Sequence, residues 1–165
     1  MRTPTVRPAR PADVVAVAAI YAHSVCTSVA TFDVDEPAPS HWQGKLDSTA
    51  LGDHFLVACD GDEVLAYAYS GVFRPRPAYG RTREISVYVA PGATGTGLGT
   101  RLYEDLLELL RQDEVHLVVA TVAQPNPASN ALHRSLGFTE VGTLDEVGFK
   151  FGAYVSTTWF QLRLT

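Results

Sequence analysis

The sequence predicts an α+β fold in which a run of antiparallel strands feeds one parallel βαβ unit. Three observations predict it. Two apolar runs, residues 54–59 and 64–73, flank Asp60-Gly61-Asp62, and Asp-Gly tolerates the positive φ of a tight hairpin turn. The strand expected over 84–90 enters a glycine-rich turn and then a helix on which Leu98, Leu102, Leu106 and Leu110 recur every fourth residue. Residues 115–122 are nearly continuous apolar chain, the pattern of a strand covered on both faces. Strand, turn, helix and buried strand make the βαβ unit.

The remaining elements follow in order. Residues 5–7 suit a short first strand. Pro11 fits the first turn of a helix, where its missing N–H would be unpaired anyway. Val14, Val17, Ala18, Tyr21 and Val25 share one helical face, so that helix is expected to reach about Thr27. Pro37-Ala38-Pro39 is a break, and Ser40 is expected to cap a shorter helix running through Leu46. Residues 74–81 read as a polar loop rich in Arg and Pro, and Pro91 ends the strand that follows it. A last helix over 128–136 should stop at Gly137, before two closing strands at 138–143 and 154–164. The chain has 165 residues without repeat or linker, so one domain spanning 1–165 is expected.

Composition narrows the function classes. Hydrophobic residues make up 46% and charged residues 19%, with a net charge of −5. An acidic chain disfavours broad phosphate-backbone contacts, so no nucleic-acid partner is expected. The start, Met1-Arg2-Thr3-Pro4-Thr5-Val6-Arg7, lacks the apolar centre of a signal peptide. No apolar run approaches membrane-spanning length, so no membrane partner is expected. Cys26 and Cys59 are far apart, which fits buried thiols in a reducing compartment and a cytoplasmic location. His23, His41, His54, His116 and His133 show no metal-ligand spacing, and no metal is expected.

The turn reads Pro91-Gly92-Ala93-Thr94-Gly95-Thr96-Gly97-Leu98-Gly99-Thr100. A strand feeding such a turn into a helix makes an anion site. The first helical N–H groups are unpaired, the dipole end is positive, and glycines let a phosphate reach the backbone. A nucleoside triphosphate would require lysine where Leu98 stands. A dinucleotide would require G-x-G-x-x-G, but Gly95, Gly97 and Gly99 are spaced by two, and no acidic residue follows for the ribose. The pyrophosphate of coenzyme A remains, beside an ordinary ligand-free turn.

Two further stretches bear on that choice. One is Arg76-Pro77-Ala78-Tyr79, then Thr82-Arg83-Glu84-Ile85-Ser86-Val87-Tyr88-Val89-Ala90-Pro91, then Thr96-Gly97-Leu98-Gly99-Thr100-Arg101-Leu102-Tyr103, whose tyrosine lies beside the leucine stripe. The other is Asn126-Pro127-Ala128-Ser129-Asn130-Ala131-Leu132-His133, ending Gly137-Phe138. With these the chain resembles the GNAT superfamily of N-acetyltransferases, in particular its phosphinothricin/methionine sulfoximine acetyltransferase branch. The resemblance covers nearly the whole chain, with weaker echoes at Thr27-Ser28, Phe32, Gly148-Phe149-Lys150 and Trp159-Phe160-Gln161-Leu162. It implies a GNAT fold: a mixed, mostly antiparallel sheet with helices on both faces and a splayed parallel strand pair at the acetyl-CoA site. Val87, Tyr88 and Val89 would pair with the pantetheine arm. Thr94, Gly95, Thr96, Gly97, Leu98, Gly99 and Thr100 would hold the pyrophosphate, and Asn126 and Ser129 would flank the thioester end. The chain departs from the family at Thr94, where Gln or Arg is usual, and at Gly95, where a basic residue is common. Backbone donors survive there, but a charged side-chain contact is lost.

Acetyl transfer to an amine needs a proton removed from the ammonium and the departing thiolate neutralised or stabilised. Glu84 is the candidate base, against a surface glutamate paired with Arg81 or Arg83. His133 stands where many relatives carry tyrosine and is the candidate donor to the thiolate, against an exposed helix histidine. No Ser/His/Asp or Cys/His set is evident, so direct transfer in a ternary complex is expected. Arginine binds carboxylate or phosphinate bidentately. By resemblance Arg76 and Tyr79 would hold the acid end of a small amino-acid-like amine, with Phe32 and Phe149 as walls, while Arg74 and Arg81 face solvent. A homodimer is implied by resemblance alone. The alternatives are the same fold acting on a protein N-terminus, polyamine or aminoglycoside, and an inactive acyl-CoA-binding module.

Overall fold

The computed structural model describes residues 4–165. Met1, Arg2 and Thr3, part of the stretch read above for a leader, lie outside the described residues. Seven strands form one sheet in the order β1-β2-β3-β4-β5-β7-β6. The first three are β1 (Thr5–Pro8), β2 (Phe55–Asp60) and β3 (Glu63–Val72). They are followed by β4 (Thr82–Val89), β5 (Leu117–Ala123), β6 (Thr139–Lys150) and β7 (Ala153–Arg163). Four helices cover the sheet: α1 (Val14–Thr27), α2 (Pro39–Asp47), α3 (Leu98–Gln112) and α4 (Pro127–Ser135). All neighbouring strands are antiparallel except β4 and β5.

The sheet carries an apolar core on each face. Under α3 lie Ile85, Leu102, Leu106, Leu110, Val118, Ala120 and Phe160. Under α1 and α2 lie Val17, Tyr21, Val25, Trp42, Val57 and Tyr67. Strand alternation sorts β4 between them: Ile85 faces the α3 core, while Glu84, Ser86 and Tyr88 face the other side, in register with Gly71, Tyr69 and Tyr67. The leucine stripe of α3 is buried as its spacing requires.

Some local expectations change. Helix α2 begins one residue before Ser40: Ala38 is the N-cap, without a side-chain cap, and Pro39 occupies the first turn. Proline's fixed φ starts the helix there, so the serine hydroxyl is not required. Strand β6 continues past residue 143 to Lys150. Register shifts between Glu140 and Gly142 and between Leu144 and Gly148, with Glu146 at φ 51°, disrupt the alternation that would announce a strand. A turn at Phe151-Gly152, both at positive φ, returns the chain into β7. Cys59 is buried, but Cys26 is exposed, because it lies off the α1 face defined by Val17, Tyr21 and Val25. Among the described residues no helix is long and apolar enough to cross a membrane.

Candidate active site

Strands β4 and β5 pair only at their beginnings, Thr82 with Leu117, Arg83 with Val118 and Glu84 with Val119. Beyond that point β4 stays paired with β3 as far as Val89, and β5 with β7 as far as Ala123. Each strand keeps its outer neighbour while the two inner edges part, which leaves backbone donors and acceptors free to pair with an extended ligand. The gap forms a cleft of about 430 Å³. Ser24, Ala30, Tyr88 and Thr121 line it from the α1 side, and Val87, Tyr103, Leu132 and His133 from the α3–α4 side. The cleft therefore passes through the sheet and opens on both faces.

The glycine turn closes one end. Gly95 and Gly97 have φ of 73° and 82°, the left-handed region that favours glycine. Gly97 is the N-cap of α3 without a side-chain cap. The Arg101 N–H donates to Gly97 O at 3.1 Å, so the amides of Leu98, Gly99 and Thr100 precede the first intrahelical donor and have no acceptor within the helix. A Cβ at Gly95 or Gly97 would meet no atom within 4 Å, so the turn presents bare backbone to open space. That is the donor set and the room a pyrophosphate needs. Thr94 and Thr96 turn their hydroxyls inward, onto Pro91 O at 3.3 Å and Ala93 O at 2.6 Å. The Leu98 side chain belongs to the core.

Asn126 caps α4, its Oδ1 accepting the Ser129 N–H at 3.1 Å. Gln124 and Asn130 exchange amide hydrogen bonds of 2.9 and 3.0 Å and fix the turn before the helix. His133 is 2% exposed, not the surface histidine that a last-helix position suggests. Its ring stacks on Phe160 and meets Tyr103 and Phe138 edge-on. Nδ1 lies 2.7 Å from Ser129 O. A carbonyl only accepts, so Nδ1 carries the proton. Nε2 is buried without a partner, and burial lowers the pKa of the ring.

Glu84 occupies the last paired position before the strands part. It is half-buried, and burial raises its pKa, against the Thr121 hydrogen bond and the charges of Arg74 and Lys45, which lower it. The Thr121 hydroxyl donates to Oε1 at 3.4 Å. Pairing with Arg81 or Arg83 does not occur. Arg83 is 7% exposed and serves the fold: its guanidinium donates to the carbonyls of Leu51, Gly80 and Thr82, and Nε lies 3.4 Å from Asp53 Oδ1. Arg74 is exposed, as its place in the polar loop suggests, and its charge works to lower the Glu84 pKa.

The four expected substrate contacts are not brought together equally. Phe32 packs its ring edge over Gly148, where a Cβ would come within 2.3 Å of it. Its loop is pinned by Lys150 Nζ, which donates to Ser28 O and Thr31 O at 2.8 Å each. Phe149, like Phe32, Arg76 and Tyr79, lies outside the cleft lining; it packs against Tyr154 and is 61% exposed. Adjacent strand residues point to opposite faces, so Gly148 under Phe32 turns Phe149 away. Tyr79 meets Phe73 edge-on, Phe73 meets Trp159, and Trp159 is in register with Thr121 beside Glu84. Arg76 is exposed and opens the short turn containing Tyr79. Sequence reasoning missed Thr121 and Tyr103. Thr121 sits inside an apolar run, and the leucine spacing treats Tyr103 only as an apolar neighbour. Neither signal reports a polar atom facing a gap that pairing alone creates. Among the described residues no group of three or more His, Cys, Asp or Glu is placed to hold a metal.

A mixed sheet with one parted parallel pair, a bare glycine turn at a helix start and a carboxylate at the vertex defines an acyl-CoA-dependent acyltransferase site. The comparisons agree: residues 18–138 match the Acetyltransferase (GNAT) family, and the chain belongs to that family. It is an acetyltransferase. It is 41% identical over 163 residues to phosphinothricin N-acetyltransferase of Streptomyces coelicolor, covering 96% of this chain and 95% of that protein. It is 38% identical over 162 residues to the L-methionine sulfoximine/L-methionine sulfone acetyltransferase of Pseudomonas aeruginosa, covering 97% and 94%. The structure of yncA from Salmonella typhimurium with its cofactor acetyl-CoA superposes with a TM-score of 0.95 at 34% identity, covering 99% of this chain and 95% of that one. A Sinorhizobium meliloti phosphinothricin acetyltransferase in complex with acetyl-CoA gives 0.92 at 34% identity, covering 98% and 89%.

Proposed function

We propose that residues 1–165 act as one domain that transfers the acetyl group of acetyl-CoA to the amine of a small amino-acid-like substrate. Phosphinothricin, methionine sulfoximine, methionine sulfone and related L-amino acids are the class. The observation that carries the reading is the position of Glu84. It is a half-buried carboxylate with a raised pKa at the vertex of the gap, on the face opposite α3. Acetyl-CoA would enter along the parted strands with its pyrophosphate on the amides at residues 95–100, and supplies the activated acetyl group. Glu84 takes the ammonium proton, directly or through water, and the free amine attacks in a ternary complex. Thr121 orients the carboxylate.

The acceptor's acid end lies toward the loop carrying Arg74, Arg76 and Tyr79. Arg76 and Tyr79 remain the proposed readers of that anion, and Arg74 adds positive charge beside Glu84. A cationic polyamine or aminoglycoside is disfavoured by these arginines. The protein is proposed to work as a homodimer in a reducing cytoplasm. Val141, Leu144, Val147, Phe151 and Tyr154, exposed along β6, β7 and their turn, support the dimer. Incubating the protein with acetyl-CoA, each acceptor and a thiol reagent tests the reading. Free coenzyme A should appear with methionine sulfone or phosphinothricin and not with spermidine or a peptide N-terminus. Coenzyme A release with the cationic amines alone overturns the substrate class. No release above the acceptor-free rate with any amine favours the inactive binding module.

A further inference from the structure

We propose that the Tyr103 hydroxyl holds the departing sulfur of coenzyme A, so the leaving-group side of the reaction is served from α3 rather than by His133 on α4. The inference rests on the acetyl-transfer reading of the same cleft. Tyr103 is 1% exposed and lines the cleft among apolar neighbours, Ile85, Val87, Val122 and Leu132. The polar contacts that order α4 run from Asn126 to Ser129 and from His133 to Ser129, and they leave the phenol out. Burial first, and then the Glu84 carboxylate, raise the pKa of the phenol. Tyr103 lines the same cleft as Ser86, Tyr88 and Thr121 of the opposite face, which places the phenol at the gap between β4 and β5, where a thioester must lie for Glu84 to serve the attacking amine.

His133 cannot fill the same role in its resting form. A neutral imidazole has one N–H, and Ser129 O engages it at 2.7 Å. Nε2 therefore offers a lone pair, and burial opposes the second proton that would make it a donor. His133 is a positioning residue whose ring packs edge-on against Tyr103, the centroids 5.5 Å apart.

The reaction balances as follows. The ammonium gives one proton to Glu84. The nitrogen lone pair forms the N–C bond, and the C–S bond breaks with its electron pair left on sulfur. The second nitrogen proton is then shed and, through solvent, neutralises the thiolate. The Tyr103 O–H donates a charge-assisted hydrogen bond to that thiolate. Burial holds the phenol proton tightly, so Tyr103 stabilises the leaving group without exchanging its own proton.

Tyr103→Phe keeps the ring and its packing and tests the hydroxyl alone. Turnover should fall about a hundredfold, the usual size for losing one preorganised donor, with acetyl-CoA affinity within about twofold of wild type. Titration calorimetry at about pH 10, where a substantial fraction of the coenzyme A thiol is ionised, supplies a second readout. Wild-type protein should bind coenzyme A about tenfold more tightly than desulfo-coenzyme A, as one charge-assisted hydrogen bond predicts, and Tyr103→Phe should lose that preference. His133→Gln should keep it. The proposal is overturned if wild type shows no sulfur preference, if Tyr103→Phe retains it, or if the variant weakens both ligands equally. It is also overturned if His133→Gln alone removes the preference, or if Tyr103→Phe leaves turnover unchanged. Should no amine be acetylated, the binding arm still decides the role of Tyr103, which separates its failure from that of the substrate class.

Discussion

Glu84, the proposed base, is held against the stability of its own fold. Burial raises its pKa, so the folded chain holds a proton at pH values where the unfolded chain has released it. Stability then falls as pH rises from the unfolded pKa through the folded one, and above that window the cost of the buried charge is fully present. Glu84→Gln should therefore raise the melting temperature at pH 8 and leave it unchanged at about pH 3, below the ordinary glutamate range. The same variant should lose turnover most steeply at low pH, where the substrate ammonium is hardest to deprotonate, while binding acetyl-CoA normally. Thermal scans and a pH–rate profile measure both, and a wild-type profile removes Glu84 from the mechanism. Arg83, one residue earlier on the strand, has the opposite character. Removing it strands Asp53 and the carbonyls of Leu51, Gly80 and Thr82. Arg83→Met should cost about 3 kcal/mol in denaturant unfolding, the usual penalty for breaking a buried pair. Arg76→Ala should leave stability alone and lower kcat/KM about a hundredfold, as loss of a charge-assisted contact predicts. An amide of the acceptor should already show that loss in wild-type enzyme.

At the scale of elements, the glycine turn and α3 act as one unit. Gly97 must be left-handed to start the helix, and it must lack a side chain to admit an anion. Gly97→Val should cost about 1–2 kcal/mol of stability through its left-handed backbone alone. It should weaken coenzyme A binding further by filling the space a Cβ now leaves open. Calorimetry on folded variant distinguishes the two, and unchanged affinity would place the pyrophosphate elsewhere. The loop between α1 and α2 depends in the same way on β6. Lys150 holds its carbonyls, and Gly148 gives the Phe32 ring its room. Gly148→Val should displace Phe32 and raise KM for the amine with little change in KM for acetyl-CoA.

At the scale of the molecule, one incomplete strand pair organises the chemistry. Because β4 and β5 part after Glu84 and Val119, a single cleft joins the two faces. On the proposed reading the donor approaches over α3 and the acceptor from beneath α1. The β6–β7 arm extends beyond this arrangement with a row of exposed apolar side chains, and a second copy is the proposed cover. Val147→Lys with Phe151→Lys should shift sedimentation from dimer to monomer without unfolding the chain. A wild-type monomer at micromolar concentration refutes the dimer.

The sequence alone determined the antiparallel run, the βαβ unit, the leucine face of α3 and the glycine turn, because hydrophobic period and turn chemistry are local signals. Quoted motifs also brought Glu84, Asn126, Ser129 and His133 into view as candidates, although spacing could not say what each touches. Tertiary structure decided the rest. Arg83 became a fold residue, since direction off a strand depends on its partners. His133 proved buried with its proton committed to Ser129, and Phe149 turned away from Phe32. Tyr103, one apolar-looking member of a helix stripe, lines the cleft only because β4 and β5 separate beside it. A gap between strands is a property of pairing across about 35 residues, and no local pattern encodes which polar atoms will face it.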